Sequence, residues 1–132
     1  MFITREMDYA VRVVRGLDQK GRCSAAELCE AEKIPSAFAY KVLKKLAQNG
    51  IVSITRGKDG GYRLIVPSEE LTLYDIVTAM DDDGVRFTDC LDPDFRCTAR
   101  GGRHCGVHCE MMRIQKVLED ELRRKSLKAL FD

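Results

Sequence analysis

Apolar residues recur at helical spacing three times within the first fifty positions. Ile3, Tyr9, Ala10, Val13, Val14 and Leu17 share one face, while Arg5, Asp8, Arg12 and Arg15 lie on the others, and Gly21 ends this helix. Ser24, followed three residues later by Glu27, forms a capping box that opens a short helix reaching Lys33. Pro35 starts a third helix whose buried stripe is Phe38 or Ala39, Val42, Leu43 and Leu46, and the Asn49-Gly50 pair closes it. Tyr40, Lys41, Lys44, Lys45 and Gln48 are left for its outer face.

The period then changes. IVSIT and YRLIV are short β-branched strands, and the RGKDGG between them makes a hairpin with a basic, glycine-rich tip. Three helices followed by a hairpin is the layout of a winged helix-turn-helix, in which the third helix enters the major groove and the hairpin touches the flanking backbone. A fourth helix starts at Thr72, capped with Asp75, carries Leu73, Ile76, Val77 and Met80 along one side, and stops at the Asp81-Asp82-Asp83-Gly84 run. The tail EMMRIQKVLEDELRRKSLKALF has no internal Gly or Pro and is expected to be one long helix with a stripe of Met111, Ile114, Val117, Leu118 and Leu122. Alone it would leave that stripe wet, so a partner surface is expected. The fold class is thus mainly α with a small β-hairpin, a winged helix-turn-helix plus a long C-terminal dimerisation helix. The units are a DNA-binding domain at 1–66, a connecting helix at 67–84, a Cys/His loop at 85–109 and the dimerisation helix at 110–132.

Charge sharpens this picture. The net charge is +1, but residues 1–66 carry twelve Lys or Arg against seven Asp or Glu, and residues 67–109 carry four against nine. A basic first unit fits a polyanionic partner when a motif stands beside it. Lys41, Lys44 and Lys45 with Tyr40 offer phosphate and base-edge contacts, and Arg56 and Lys58 on the wing sit beside Gly57, Gly60 and Gly61, where backbone could approach a phosphate. No stretch reads as a membrane span or a secretory signal, so the expected compartment is the cytoplasm, where thiols stay reduced. No serine nucleophile motif or phosphate loop is present and both histidines sit among cysteines, so an enzyme is not expected.

Four of the six cysteines and both histidines fall in CLDPDFRCTARGGRHCGVHC, from Cys90 to Cys109. Six residues separate Cys90 from Cys97, seven separate Cys97 from Cys105, and two separate Cys105 from His108. These are not the paired knuckles of structural zinc sites. Pro93, Gly101 and Gly102 give a loop able to wrap something bulky, and an iron-sulfur core, with three or four thiolates or a histidine replacing one, is such a group. Arg96, Arg100 and Arg103 lie near enough to offset its negative charge. Cys23 and Cys29 have no companion ligands nearby and read as packing residues.

In four stretches the chain resembles the IscR/NsrR-type family of bacterial winged-helix transcription regulators, many of which carry iron-sulfur clusters. They are MFITREMDYAVRVV, IPSAFAYKVLKKLAQNGIVSITRGKDGGYRL, LTLYDIVTAMD, and the three cysteines followed by a long helix. The resemblance implies a homodimer whose C-terminal helices cross, with Cys90, Cys97 and Cys105 as cysteine ligands of a two-iron or four-iron cluster. His108 matches the histidine that some members use as fourth ligand, and Asp8 occupies the place from which others offer a partner subunit's carboxylate. The gaps between the cysteines are longer than the family's usual ones, which costs little, since each doubling of loop length adds roughly 0.6 kcal/mol. Cys109 is an additional thiol competing with His108. The reading is a transcription regulator, expected to be a repressor, on a palindromic operator of double-stranded DNA. Its expected contacts are Ser36, Tyr40, Lys41 and Lys44 on the third helix and Arg56 and Lys58 on the wing. Two alternatives stand beside it: a metal-free thiol/disulfide sensor, and an iron-sulfur electron carrier or assembly protein without a DNA role.

Overall fold

Helix α1 (Arg5–Lys20) turns Met7, Ala10, Val13, Val14 and Leu17 into the core, and Gly21 caps it with a positive φ of 78°. In this computed structural model, which describes residues 3–99 and 104–132, Ile3 precedes the helix and is exposed, whereas Met7 takes the inward place at its start. Helix α2 (Ala25–Glu32) begins at the Ser24/Glu27 capping box, with both reciprocal bonds formed. Helix α3 (Ser36–Gln48) starts after Pro35 and buries Ala39, Val42, Leu43 and Leu46, leaving Phe38 half-buried against the Tyr9 ring. Glu32 is a buried carboxylate, and Arg15 meets it at 2.5 Å, tying α2 to α1.

Strands β1 (Val52–Thr55) and β2 (Gly61–Leu64) pair antiparallel, with Val52 opposite Leu64 and Thr55 opposite Gly61. A third short rung is added by Cys23, whose backbone exchanges both hydrogen bonds with Tyr62. A Cβ on Gly61 would lie 2.9 Å from the Cys23 carbonyl oxygen, and one on Gly60 would lie 2.2 Å from that of Thr55. The wing's own turn and rung therefore demand glycine at these two positions. Cys23 is buried and Cys29 packs against the core, as expected of packing residues.

Helix α4 (Leu73–Met80) begins at the Thr72/Asp75 box, buries Ile76, Val77, Ala79 and Met80, and packs against α1 and α3. A single 3-10 turn at Asp89–Leu91 leads into the loop, and α5 (Gly106–Arg123) comes after it. The tail is not one helix. It breaks at Arg124-Lys125, and Ser126 accepts from the Ala129 N–H to start α6 (Leu127–Phe131). No Gly or Pro stops α5, so the break is driven by the docking of α6. Leu127 is completely buried, its N–H donates to the Leu71 carbonyl at 2.7 Å, and the Lys128 N–H donates to that of Ser68 at 3.1 Å. Burying a leucine removes more apolar area from water than extending a solvent-exposed helix by one turn gains.

Asp18 anchors this return. Its carboxylate accepts from the Ser68 hydroxyl at 2.5 Å and from Lys128 Nζ at 3.1 Å, and these partners hold its carboxyl below the ordinary 3.8. Hydrogen bonds from Lys41, then Lys45, likewise hold the Glu6 carboxyl below 4.5. A carboxyl depressed in the folded state stabilises above its unfolded pKa, and that contribution is lost as pH falls through the folded value. Denaturant midpoints should therefore be flat above about pH 5 and decline below about pH 4. Asp18→Asn should lower the neutral-pH midpoint and shrink the acid decline; an unchanged decline would remove Asp18 from the account.

Candidate DNA-binding surface and cysteine-histidine segment

The outer face of α3 is set by its register. With Ala39, Val42, Leu43 and Leu46 inward, Ser36, Tyr40, Lys41 and Lys44 are exposed, and Tyr40 presents more than half of its surface to solvent. Arg56 and Lys58 are exposed on the wing tip. Lys44, Arg56 and Lys58 enter no ion pair among the described residues, so their charges face outward without a protein counterion. Lys41 differs, because it pairs with Glu6 of α1 while remaining largely exposed.

Lys45 does not belong to that outer face. Its Nζ donates to Glu6 Oε2 and to the Met80 carbonyl, both at 2.8 Å, and so joins α3 to α1 and to the end of α4. Periodicity sets it one step from Lys44, but the partners that turn it inward are contributed by distant segments. Arg63 is a further cation beside the wing, one that the glycine-rich tip does not include. It is exposed on β2, and strand alternation puts it on the opposite face from Tyr62 and Leu64.

The cysteine-histidine segment is fixed at both ends, and residues 93–99 and His104 between them are exposed. Cys90 is half-buried in the 3-10 turn, which packs against α5. Cys105 is half-buried at the N-cap of α5, with His108 half-buried and Cys109 exposed in the first turn. Cys97 is exposed in the loop. Cys90, Cys97 and Cys109 carry free thiols. Arg100, Gly101, Gly102 and Arg103 lie outside the described residues. Among those described, no three His, Cys, Asp or Glu side chains stand together closely enough to hold a metal ion. Asp8 is exposed and pairs with Arg12 at 2.9 Å.

One contact here is not legible in the spacing. His104 Nε2 lies 3.5 Å from Cys109 Sγ, so the extra thiol stands beside the histidine outside the expected ligand set. Only Gly106 and Val107 precede His108 in α5, so the last residue of the loop before Cys105 folds back over the first helical turn.

On its inner side α5 meets α4 through half-buried Leu118 and Leu122 and through Arg123, whose guanidinium stacks 3.4 Å from the Tyr74 ring centre. No residue of α5 is buried, and Val107, Ile114 and Val117 remain exposed along one flank. No helix among the described residues is long and apolar enough to cross a membrane.

Solved structures share this fold. Staphylococcus aureus CymR superposes with a TM-score of 0.69 at 20% identity, covering 98% of this chain and 97% of its own. T. potens IscR superposes at 0.72 and 18% identity, covering 97% and 84%. In sequence, the chain is 33% identical over 84 residues to "Protein aau3" of Rhizobium meliloti, of which the match spans 54%, and of this chain 62%. It is 26% identical over 125 residues to the HTH-type transcriptional regulator IscR of Photorhabdus laumondii, covering 92% of this chain and 71% of that protein. The model of the Rrf2 family, described as "Iron-dependent Transcriptional regulator", matches residues 3–132. With the match spanning the winged helix, the cysteine-histidine segment and the final helices alike, the chain belongs to the Rrf2 family of transcriptional regulators.

Proposed function

We propose that this regulator acts as a homodimer on double-stranded DNA and that the state of its cysteine-histidine segment sets its operator affinity, with an iron-sulfur cluster held by Cys90, Cys97, Cys105 and His108. The observation that carries this reading is that one helix is linked to three of the donors: Cys105 is the N-cap of α5, His108 is in its first turn, and Cys90 is in a turn packed against the same helix. Three thiolates and an imidazole are a donor set that such clusters accept. When bound, the cluster supplies a centre sensitive to redox state or nitric oxide.

In this reading, ligation and closure of the loop from Cys90 to Cys105 are one event, as is common where a site is not assembled beforehand. The exposed Val107, Ile114 and Val117 flank of α5 favours a second copy as the covering surface. Two recognition helices related by that two-fold axis would then meet half-sites about one helical turn apart, or a multiple of it. Because α5 is both dimer helix and ligand carrier, cluster loss changes affinity by as much as the two dimer shapes differ in their fit to DNA. Membership of a transcription-regulator family argues against the electron-carrier alternative.

Anaerobic reconstitution with iron and sulfide tests the cluster. The wild type should become coloured, with iron and acid-labile sulfide in matching amounts, and Cys97→Ala should abolish this. His108→Ala should shift the visible band and lower retention, while Cys109→Ala should leave the band in place. A colourless wild type would sink the cluster. The thiol-sensor reading would then lead, because Cys109 is exposed beside His104, and it requires reversible mass loss of two hydrogens per disulfide on oxidation.

A further inference from the structure

Gln115 lies on the inner face of α5, where the backbone of residues 85–87, at the exit of the turn over 82–85, engages both ends of its side-chain amide. Its Nε2 donates to the Val85 carbonyl at 3.0 Å, and its Oε1 accepts from the Phe87 N–H at 3.4 Å. That pair reproduces the hydrogen bonds a neighbouring strand would make to residues 85–87. The remaining Nε2 proton goes to Glu119 Oε1 at 3.1 Å. A carboxylate only accepts, so Glu119 dictates which way the amide faces.

The clamped segment runs straight into Cys90. Val85 is buried, and Arg86 reaches Asp83 at 2.5 Å and Asp92 at 2.9 Å, closing a small loop around Thr88–Leu91. Within it, the Leu91 N–H donates to the Thr88 carbonyl and the Asp92 N–H to that of Asp89. Cys90 therefore sits in a tight turn whose entry is held to α5 by one side chain. Cys105 and His108 are on α5 itself, and Cys97 is exposed.

We propose that Gln115 is a positioning residue that ties the Cys90 turn to α5, the helix whose N-cap and first turn carry Cys105 and His108, so that the loop closes on any bound group from an entry already fixed. The ligand role of those residues is the reading given under Proposed function; the clamp itself is a property of the protein without a bound group. Groups that orient ligands from behind typically change metal affinity by about 10–100-fold when removed. Gln115→Ala removes all three hydrogen bonds, whereas Gln115→Glu keeps the length and the acceptor for Phe87 but sets a carboxylate against the Val85 carbonyl and Glu119.

The test uses the full chain, reduced and metal-free, with iodoacetamide as probe and peptide mass spectrometry to follow each cysteine. Both variants should alkylate Cys90 about fivefold faster than wild type or more, with Cys97 and Cys109 unchanged. After reconstitution with iron and sulfide, a chelator should bleach the variants about ten times faster. Unchanged Cys90 labelling in both variants overturns the proposal, as does an equal rise at buried Cys23, which would mean general loosening. Should the wild type take up no cluster, the cluster reading falls while the labelling still decides the clamp.

Discussion

Leu127→Ala should destabilise the protein by about 3 kcal/mol, within the 2–5 kcal/mol usual for deleting a buried leucine side chain. Leu127 is wholly buried, lies next to the α4 approach through its bond to the Leu71 carbonyl, and begins the helix that comes after α5. The matched control is Leu130→Ala three residues on, which is 45% exposed and should cost less than about 0.5 kcal/mol. Equilibrium urea denaturation measures both. Equal costs would show that α6 does not dock in solution. The consequence reaches beyond stability, because the Arg123–Tyr74 stack and α6 attach the far end of α5 to α4 and to residues 68–71, and the Lys128–Asp18 pair ties α6 to α1.

Legibility in the sequence tracks the range of the interactions. The Ser24/Glu27 and Thr72/Asp75 boxes are local in sequence, so their residue types at fixed spacing sufficed, and both are formed. The stripe of α3 and the basic hairpin were readable for the same reason. The break before α6 was not, because no Gly or Pro marks it; Ser126 becomes a cap only because Leu127 has a site to fill beside residues 68–71. Lys45 looks like its neighbours until Glu6 and the Met80 carbonyl are placed beside it. Gln115 and His104 are the same case. An amide on a helix reads as solvated and a histidine in a loop as spare, until the fold puts the Val85–Phe87 backbone and Cys109 within reach.

Replacing Lys44, Arg56 and Lys58 together with Ala should weaken duplex binding by at least about a hundredfold at fixed salt and reduce the slope of log K against log salt by about 2.7. All three are exposed without an ion-pair partner among the described residues, so each is free to release a counterion on meeting a phosphate. Their removal should leave thermal stability within the range of ordinary surface changes. Lys45→Ala should behave in the opposite way. It strips Glu6 of one of its two cations and the Met80 carbonyl of its donor, so it should lower stability while leaving the salt slope unchanged. Tyr40→Ala separates base reading from phosphate attraction, since an exposed aromatic on α3 beside Lys41 offers apolar contact and a hydroxyl to base edges but no charge. Its expected signature is a loss of discrimination between operator and random duplex at an unaltered slope, measured by titration across several salt concentrations. If the triple variant kept the wild-type slope, α3 and the wing tip would not be the surface that faces DNA.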